Sequence, residues 1–249
     1  MNLNFETPKS LWSYFLKYFP DPSALIGQHE DPTHIPRKIE DHELVSEAFE
    51  TTYKKLESEL RQTISSISTY HACRVIDESS YRTEGIKKLR VSEATEWMKD
   101  FFQLKDKVDE AVEALGQKLS GYGDWNGSGV FTMCSKSDSE KRKLAYKEGS
   151  EFIRRTAEIL GPKHLEKYKS TGRPCYIETR VPLSWFEENT DRNDLSGMIR
   201  YLLSHWILTE TNNHYYAKDR MNFAVIYSAD IPVDMIHHFH YSAQEPTSR

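Results

Sequence analysis

Ser68-Thr69-Tyr70-His71-Ala72-Cys73-Arg74-Val75 is the stretch on which the fold turns. Upstream of it, Val45, Phe49, Leu56, Leu60, Ile64 and Ile67 recur at helical spacing, with Asp41 as the expected N-cap and acids in the first turn. From Ser68 that spacing is lost, and the stretch reads as a strand. Before the helix, Leu11 to Phe19 is a short aromatic segment ended by Pro20-Asp21-Pro22, and a Pro-, His- and Asp-rich loop runs on to Pro36.

Downstream, Ala94, Trp97, Met98, Phe101, Leu104, Val108, Ala111, Val112, Leu115 and Leu119 form one stripe. It predicts a single core helix from Ser92, about 40 Å long at about 1.5 Å per residue. Gly121, Gly123, Gly127 and Gly129 punctuate a loop before a strand at Val130–Cys134. A basic, polar helix is expected from Asp138 to Leu160, stopping at Gly161-Pro162. Cys175–Leu183 alternates as a strand, Leu195–Leu208 reads as an amphipathic helix, and Asn222–Ser228 as another strand. Ile231-Pro232 then turns the chain toward Met235–Tyr241. Helices followed by strands at long, irregular intervals imply an α+β fold with a small mixed or antiparallel sheet and flanking helices.

Composition narrows the function classes. The 249 residues carry 11 Phe, 14 Tyr and 5 Trp, too many aromatics for a disordered chain. No apolar run approaches the roughly 20 residues that span a bilayer. The first residues lack a basic region followed by an apolar core, so no secretory signal is expected. Cys73, Cys134 and Cys175 are scattered and form no CxxC pair, which fits reduced thiols in a cytoplasmic setting. Net charge is -5, yet residues 124–180 hold 12 basic against 8 acidic groups, led by Lys141-Arg142-Lys143. That segment could face an anion, but four excess charges fall far short of a duplex-binding footprint, and a solvated helix face is the preferred reading. His237, His238 and His240 are the densest histidine cluster, but nothing nearby supplies an obvious third ligand, so no metal is expected. Phosphate-loop, HExxH and GxSxG signatures are absent from the sequence.

An ordered set of short motifs carries more weight. Tyr70-His71-Ala72-Cys73-Arg74 is followed by Gly85-Ile86, then by Gly127-Ser128-Gly129-Val130-Phe131-Thr132 and a helix with Tyr146. Last come Tyr176-Ile177-Glu178-Thr179-Arg180-Val181 and Asn222-Phe223-Ala224-Val225-Ile226-Tyr227. This order, over residues 68–241, resembles the ADP-ribosyltransferase superfamily of the histidine–tyrosine–glutamate type. That group includes poly-ADP-ribose polymerase catalytic domains and DNA-modifying bacterial toxins.

The resemblance implies an ADP-ribosyltransferase-like domain at 67–241, a helical extension at 1–66 and a tail at 242–249. It implies NAD as substrate, with His71 bonding the ribose hydroxyls and Arg74 near the phosphates. Gly129 would bring a strand edge close to nicotinamide, and Phe131 or Tyr146 would stack on its ring; Tyr70 also sits where a flat ring could meet it. Core packing is the structural alternative for these aromatics. The sequence departs from the family pattern at the catalytic glutamate, where Asn222 stands. Asp219 or Glu210 could act instead, or Glu178 on the preceding strand, or the site could bind without catalysing. Glu151 is expected to pair with Arg154 or Arg155 along its helix.

The expected activity is transfer of ADP-ribose from NAD to a macromolecular acceptor, protein or nucleic acid, in the manner of a bacterial or phage toxin or defence effector with an inhibitor or antitoxin partner. The competing expectation is a catalytically silent relative, or an unrelated α+β interaction protein. A phosphotransferase acting on RNA would need several arginines in one cleft, where Arg74, Arg82 and Arg180 are the candidates.

Overall fold

The computed structural model describes residues 1–27, 31–117, 129–137, 149–191, 194–213 and 223–241, and the backbone of residue 118. The described residues form an α+β protein whose sheet is antiparallel but for one parallel pair, with no barrel among them. In chain order the strands are β1 (Asn2–Leu3), β2 (Ser66–Val75), β3 (Val130–Met133), β4 (Arg173–Pro182), β5 (Ala224–Tyr227) and β6 (Ile236–Tyr241). Their order in the sheet is β5-β3-β2-β4-β6, with β1 paired in parallel to β2. The chain forms two compact units, one of residues 1–69, 133–141 and 180–225, the other of 70–132, 142–179 and 226–249.

The first unit holds α1 (Trp12–Tyr18), α2 (Pro22–Ile26), α3 (His34–Glu40) and α4 (Glu47–Thr63). Pro36, expected in a loop, lies in the first turn of α3, where its missing N–H leaves no bond unmade. Asp41 closes α3 rather than opening α4. The N-cap of α4 is Ser46, whose extended backbone lets Oγ accept from the Phe49 N–H at 3.1 Å. Phe49, Leu56 and Leu60 of the expected stripe are buried on α4 together with Tyr53, while Val45, Ile64 and Ile67 fall outside the helix. Two further helices, from the later part of the chain, complete the unit.

In the second unit the expected single helix over 92–119 is two. We label these α6 (Val91–Phe102) and α7 (Lys105–Lys118), after a short α5 (Ser79–Glu84). Gln103 takes a left-handed conformation, φ +57°, and turns the chain. Met98 and Phe102 of α6 then meet Val108 and Leu115 of α7 in one buried cluster, so the stripe folds onto itself. Of the polar helix expected over 138–160, the described part is helical from Glu151. Gly149 has φ +84°, and α8 (Glu151–Leu160) starts only after it; residues 138–148 lie outside the described residues. Gly161 ends α8, and Pro162 opens α9 (Pro162–Ser170), a helix absent from the sequence reading. Phe152 and Ala157 of α8 and Tyr168 of α9 join the same buried cluster.

The remaining helices, α10 (Leu183–Asn189) and α11 (Asp194–Glu210), return to the first unit. Expected to be amphipathic, α11 is buried nearly all round: 11 of its residues are buried, among them Gly197, Arg200 and Ser204. Its polar positions have partners waiting. Arg200 bonds Glu50 at 2.9 Å and lies over the Tyr53 ring at 4.1 Å. The Ser204 hydroxyl donates to Glu40, and Ser196 accepts from the Tyr53 hydroxyl. Trp206 is core, as expected, against Phe15.

Among the described residues no helix is long and apolar enough to cross a membrane. All three cysteines are free thiols and buried.

Candidate functional site

The second unit contains a cavity of about 880 Å³, in the upper part of the range for small-molecule sites. His71 through Arg74 of β2, Gly129, and Val130 and Phe131 of β3 are among its lining residues. Ile76, Asp77, Ser80, Tyr81, the segment Lys87–Arg90, Glu93 and Trp97 of α6, Gly149–Glu151 and Tyr168 are among the residues that line the rest. Four residues singled out by sequence, His71, Arg74, Gly129 and Phe131, are therefore brought together.

His71 sits on β2 beside β3, and its Nδ1 is 3.0 Å from the Phe131 carbonyl oxygen. A carbonyl can only accept, so Nδ1 carries the proton and Nε2 is left as an acceptor. Burial pushes the imidazole below its ordinary value, partly offset by this bond, which favours that neutral form.

Phe131 is the exposed position of a strand whose other residues are buried, with half its surface open. That removes the core alternative for this ring. Gly129 is required by the backbone: φ is +91°, and a Cβ would lie 2.1 Å from the Tyr227 carbonyl oxygen on β5. Gly85 is held in the same way, with φ +80° and a Cβ site 2.1 Å from the Ile231 carbonyl.

Arg74 is half-buried and braces the wall. Its Nε donates to the Thr171 carbonyl at 3.1 Å and its Nη2 to the Gly172 carbonyl at 2.9 Å. Burial lowers its pKa, but a guanidinium stays charged. Tyr168 seats the Gly149 turn, and burial pushes its phenol up to about 12. Cys73 also borders the cavity. Burial, reinforced by Cys175 nearby, raises its thiol to about 12, which keeps it protonated and a poor nucleophile.

Other named residues fall elsewhere. Glu178, on β4, bonds His240 Nε2 on β6 at 2.8 Å and is not among the cavity-lining residues. Tyr70 is buried, tilted against His240 at 6.0 Å, rather than open to a ligand ring. Glu210 is exposed at the end of α11. Asp219, Asn222 and Tyr146 lie outside the described residues, as do Gly127, Ser128 and the Lys141-Arg142-Lys143 run. His238 and His240 share a face, their rings 4.6 Å apart, and no group of three potential metal ligands occurs among the described residues.

Each carboxylate lining the cavity has a partner. Asp77 accepts from the Ser79 N–H at 3.0 Å and from its hydroxyl, which together hold it below its ordinary value. Glu93 bonds Arg90 at 3.2 Å, and Glu151 pairs with Arg155 at 3.5 Å, as expected from its helical spacing.

The sequence reading passed over part of the lining. Lys87, Lys88 and Arg90 follow the Gly85-Ile86 motif directly, and their clustering was a legible signal. Trp97, expected to be core, is 37% exposed and faces the cavity.

Comparisons with protein-family models, curated proteins and solved structures find no match to this chain.

Proposed function

We propose that this chain binds NAD in the cavity of its second unit and transfers ADP-ribose to a macromolecular acceptor, protein or nucleic acid. The observation that carries the reading is that His71 and the exposed Phe131 line one cavity, with His71 Nδ1 bonded to the Phe131 backbone carbonyl at 3.0 Å. The ordered motifs that resemble the ADP-ribosyltransferase superfamily supply the expectation that these two residues belong to one site.

The chemistry follows from the residues. A neutral His71 with Nδ1 protonated offers Nε2 as an acceptor for a ribose hydroxyl. Phe131 offers a ring face for nicotinamide, and stacking orients the leaving group before bond cleavage. The bond between nicotinamide and ribose breaks with its electron pair leaving on nicotinamide. Positive charge develops on the sugar, and an acceptor nucleophile closes on the anomeric carbon. A carboxylate at the 2′-hydroxyl would stabilise that charge, often the largest catalytic contribution. Glu178 is committed to His240, and the lining acids Asp77, Glu93 and Glu151 are each committed to a neighbour, so transfer requires one of the lining acids to exchange its partner for the ribose hydroxyl.

A second reading, nucleotide binding without transfer, is favoured by Asn222 at the motif's glutamate position together with those committed acids. Incubation with labelled NAD and cell lysate separates the two. Label should reach an acceptor with the natural chain and be lost with His71→Ala. Binding of NAD without any label transfer supports the silent reading, and absence of both rejects the site.

A further inference from the structure

Among the described residues seven large hydrophobic side chains are exposed, and three of them, Ile76, Trp97 and Phe131, line this one cavity. Exposed apolar groups gathered in a concave site mark ligand contact rather than ordinary surface. Trp97 differs from Phe131 in being backed by a column. Its indole stacks on Phe101 with centroids 4.7 Å apart and planes 12° apart. The Lys167 ammonium lies 4.8 Å from the Phe101 ring centre and donates to the Phe101 carbonyl. One face of the indole is thus covered by protein, while the ring still reaches the cavity.

The cations beside it are not equivalent. Arg90 is held by both Asp230, at 2.9 Å, and Glu93, at 3.2 Å. Lys88 donates its ammonium to the Ser228 carbonyl at 2.9 Å and its backbone N–H to Asp230 at 2.7 Å. Lys87 stands 4.0 Å from Asp230, at the outer limit of an ion pair, with 41% of its side chain exposed. Asp230 therefore fixes the segment while leaving Lys87 the cation most available to a ligand. Lys87 and Trp97 both line this one cavity.

We infer that Trp97 and Lys87 form a nucleoside-phosphate subsite, the base stacking on the indole and the phosphate meeting the ammonium. The inference deepens the proposed function and rests on it for the identity of the ligand: the subsite would take the adenosine phosphate of NAD, leaving Phe131 and His71 to the nicotinamide ribose. An aromatic platform next to a basic side chain suits a base and its phosphate, and stacking of one base on an aromatic ring is a substantial share of binding.

The test is titration of the full chain with adenosine 5′-monophosphate and with NAD, followed by calorimetry and tryptophan fluorescence. The monophosphate should bind, and Trp97→Ala should weaken both ligands at least tenfold while Trp97→Phe keeps the monophosphate within about threefold. Lys87→Gln should weaken the monophosphate about fivefold at low salt and less at high salt. His71→Ala should leave the monophosphate unaffected. Failure of the monophosphate to bind the natural chain, or equal affinity in Trp97→Ala, overturns the inference even where NAD transfer is observed. Monophosphate binding that follows this pattern without NAD transfer leaves the subsite standing and rejects the transferase reading. A single-stranded oligonucleotide that outcompetes NAD at Trp97 would reassign the subsite to the acceptor and overturn its assignment to NAD.

Discussion

His71 Nδ1 and the Phe131 carbonyl oxygen, 3.0 Å apart, link the two strands that carry the candidate site. The bond selects one imidazole tautomer and ties it to the backbone of the strand that carries the exposed Phe131 ring. Asparagine places an N–H donor near the position of Nδ1 but supplies nothing at Nε2. His71→Asn should therefore keep the stability of the natural chain within about 0.5 kcal/mol, whereas His71→Ala should lose about 1 kcal/mol. Both should reduce label transfer from NAD at least a hundredfold. Urea unfolding and the transfer assay measure the two effects separately.

The same imidazole gives a pH dependence of definite sign. Burial lowers its folded-state pKa below the ordinary 6.5. Below pH 6.5 the unfolded chain then takes up a proton that the folded chain resists. Stability from this group is present above about 6.5 and is lost as pH falls through the folded value. One group can contribute a slope of at most about 1.4 kcal/mol per pH unit. Unfolding free energies at pH 7.5 and 5.5 should differ less in His71→Asn than in the natural chain. An equal difference would mean that the charged form is not disfavoured in the fold.

Gly129 and Gly85 are required by conformation, and Gly116 is not. Gly129→Ala and Gly85→Ala each combine a positive φ with a Cβ site 2.1 Å from a carbonyl oxygen, so each should destabilise by about 2 kcal/mol or more. At Gly116, inside α7, a Cβ meets nothing within 4 Å, and Gly116→Ala should stabilise by roughly 0.5–1 kcal/mol. Chemical denaturation of the three variants measures all of this.

Glu178 serves the sheet through His240. Glu178→Gln keeps the shape and a weaker hydrogen bond, and should cost about 1–2 kcal/mol. Label transfer at a temperature where the variant is folded should stay within about threefold of the natural chain. A loss as large as that of His71→Asn would instead make Glu178 the acid of the reaction.

Much of the fold was legible because alternation and helical spacing are local. Strands β2, β3 and β4 lie within a residue or two of their expected bounds, whereas α4 starts several residues after the expected cap. The errors came where no local signal exists or where one was overridden. Gln103 breaks a continuous apolar stripe with neither glycine nor proline to announce it. Gly149, with φ +84°, stands outside the helix that starts at Glu151, but one glycine in a polar helix reads as tolerable. The buried polar residues of α11 looked like a solvent face because Glu40, Glu50 and Tyr53, their partners, come from distant helices. For the site, motif order brought out His71, Arg74, Gly129 and Phe131. Trp97 was missed because an apolar stripe tells which face of a helix is greasy, and not whether protein or a cavity lies opposite.

Calorimetric titration of NAD into the natural chain and into Phe131→Ala tests the central claim most directly. The account predicts saturable one-to-one binding to the natural chain, weakened at least tenfold by Phe131→Ala with the fold intact by circular dichroism. Absence of binding heat in the natural chain, or equal affinity in the two proteins, would contradict it.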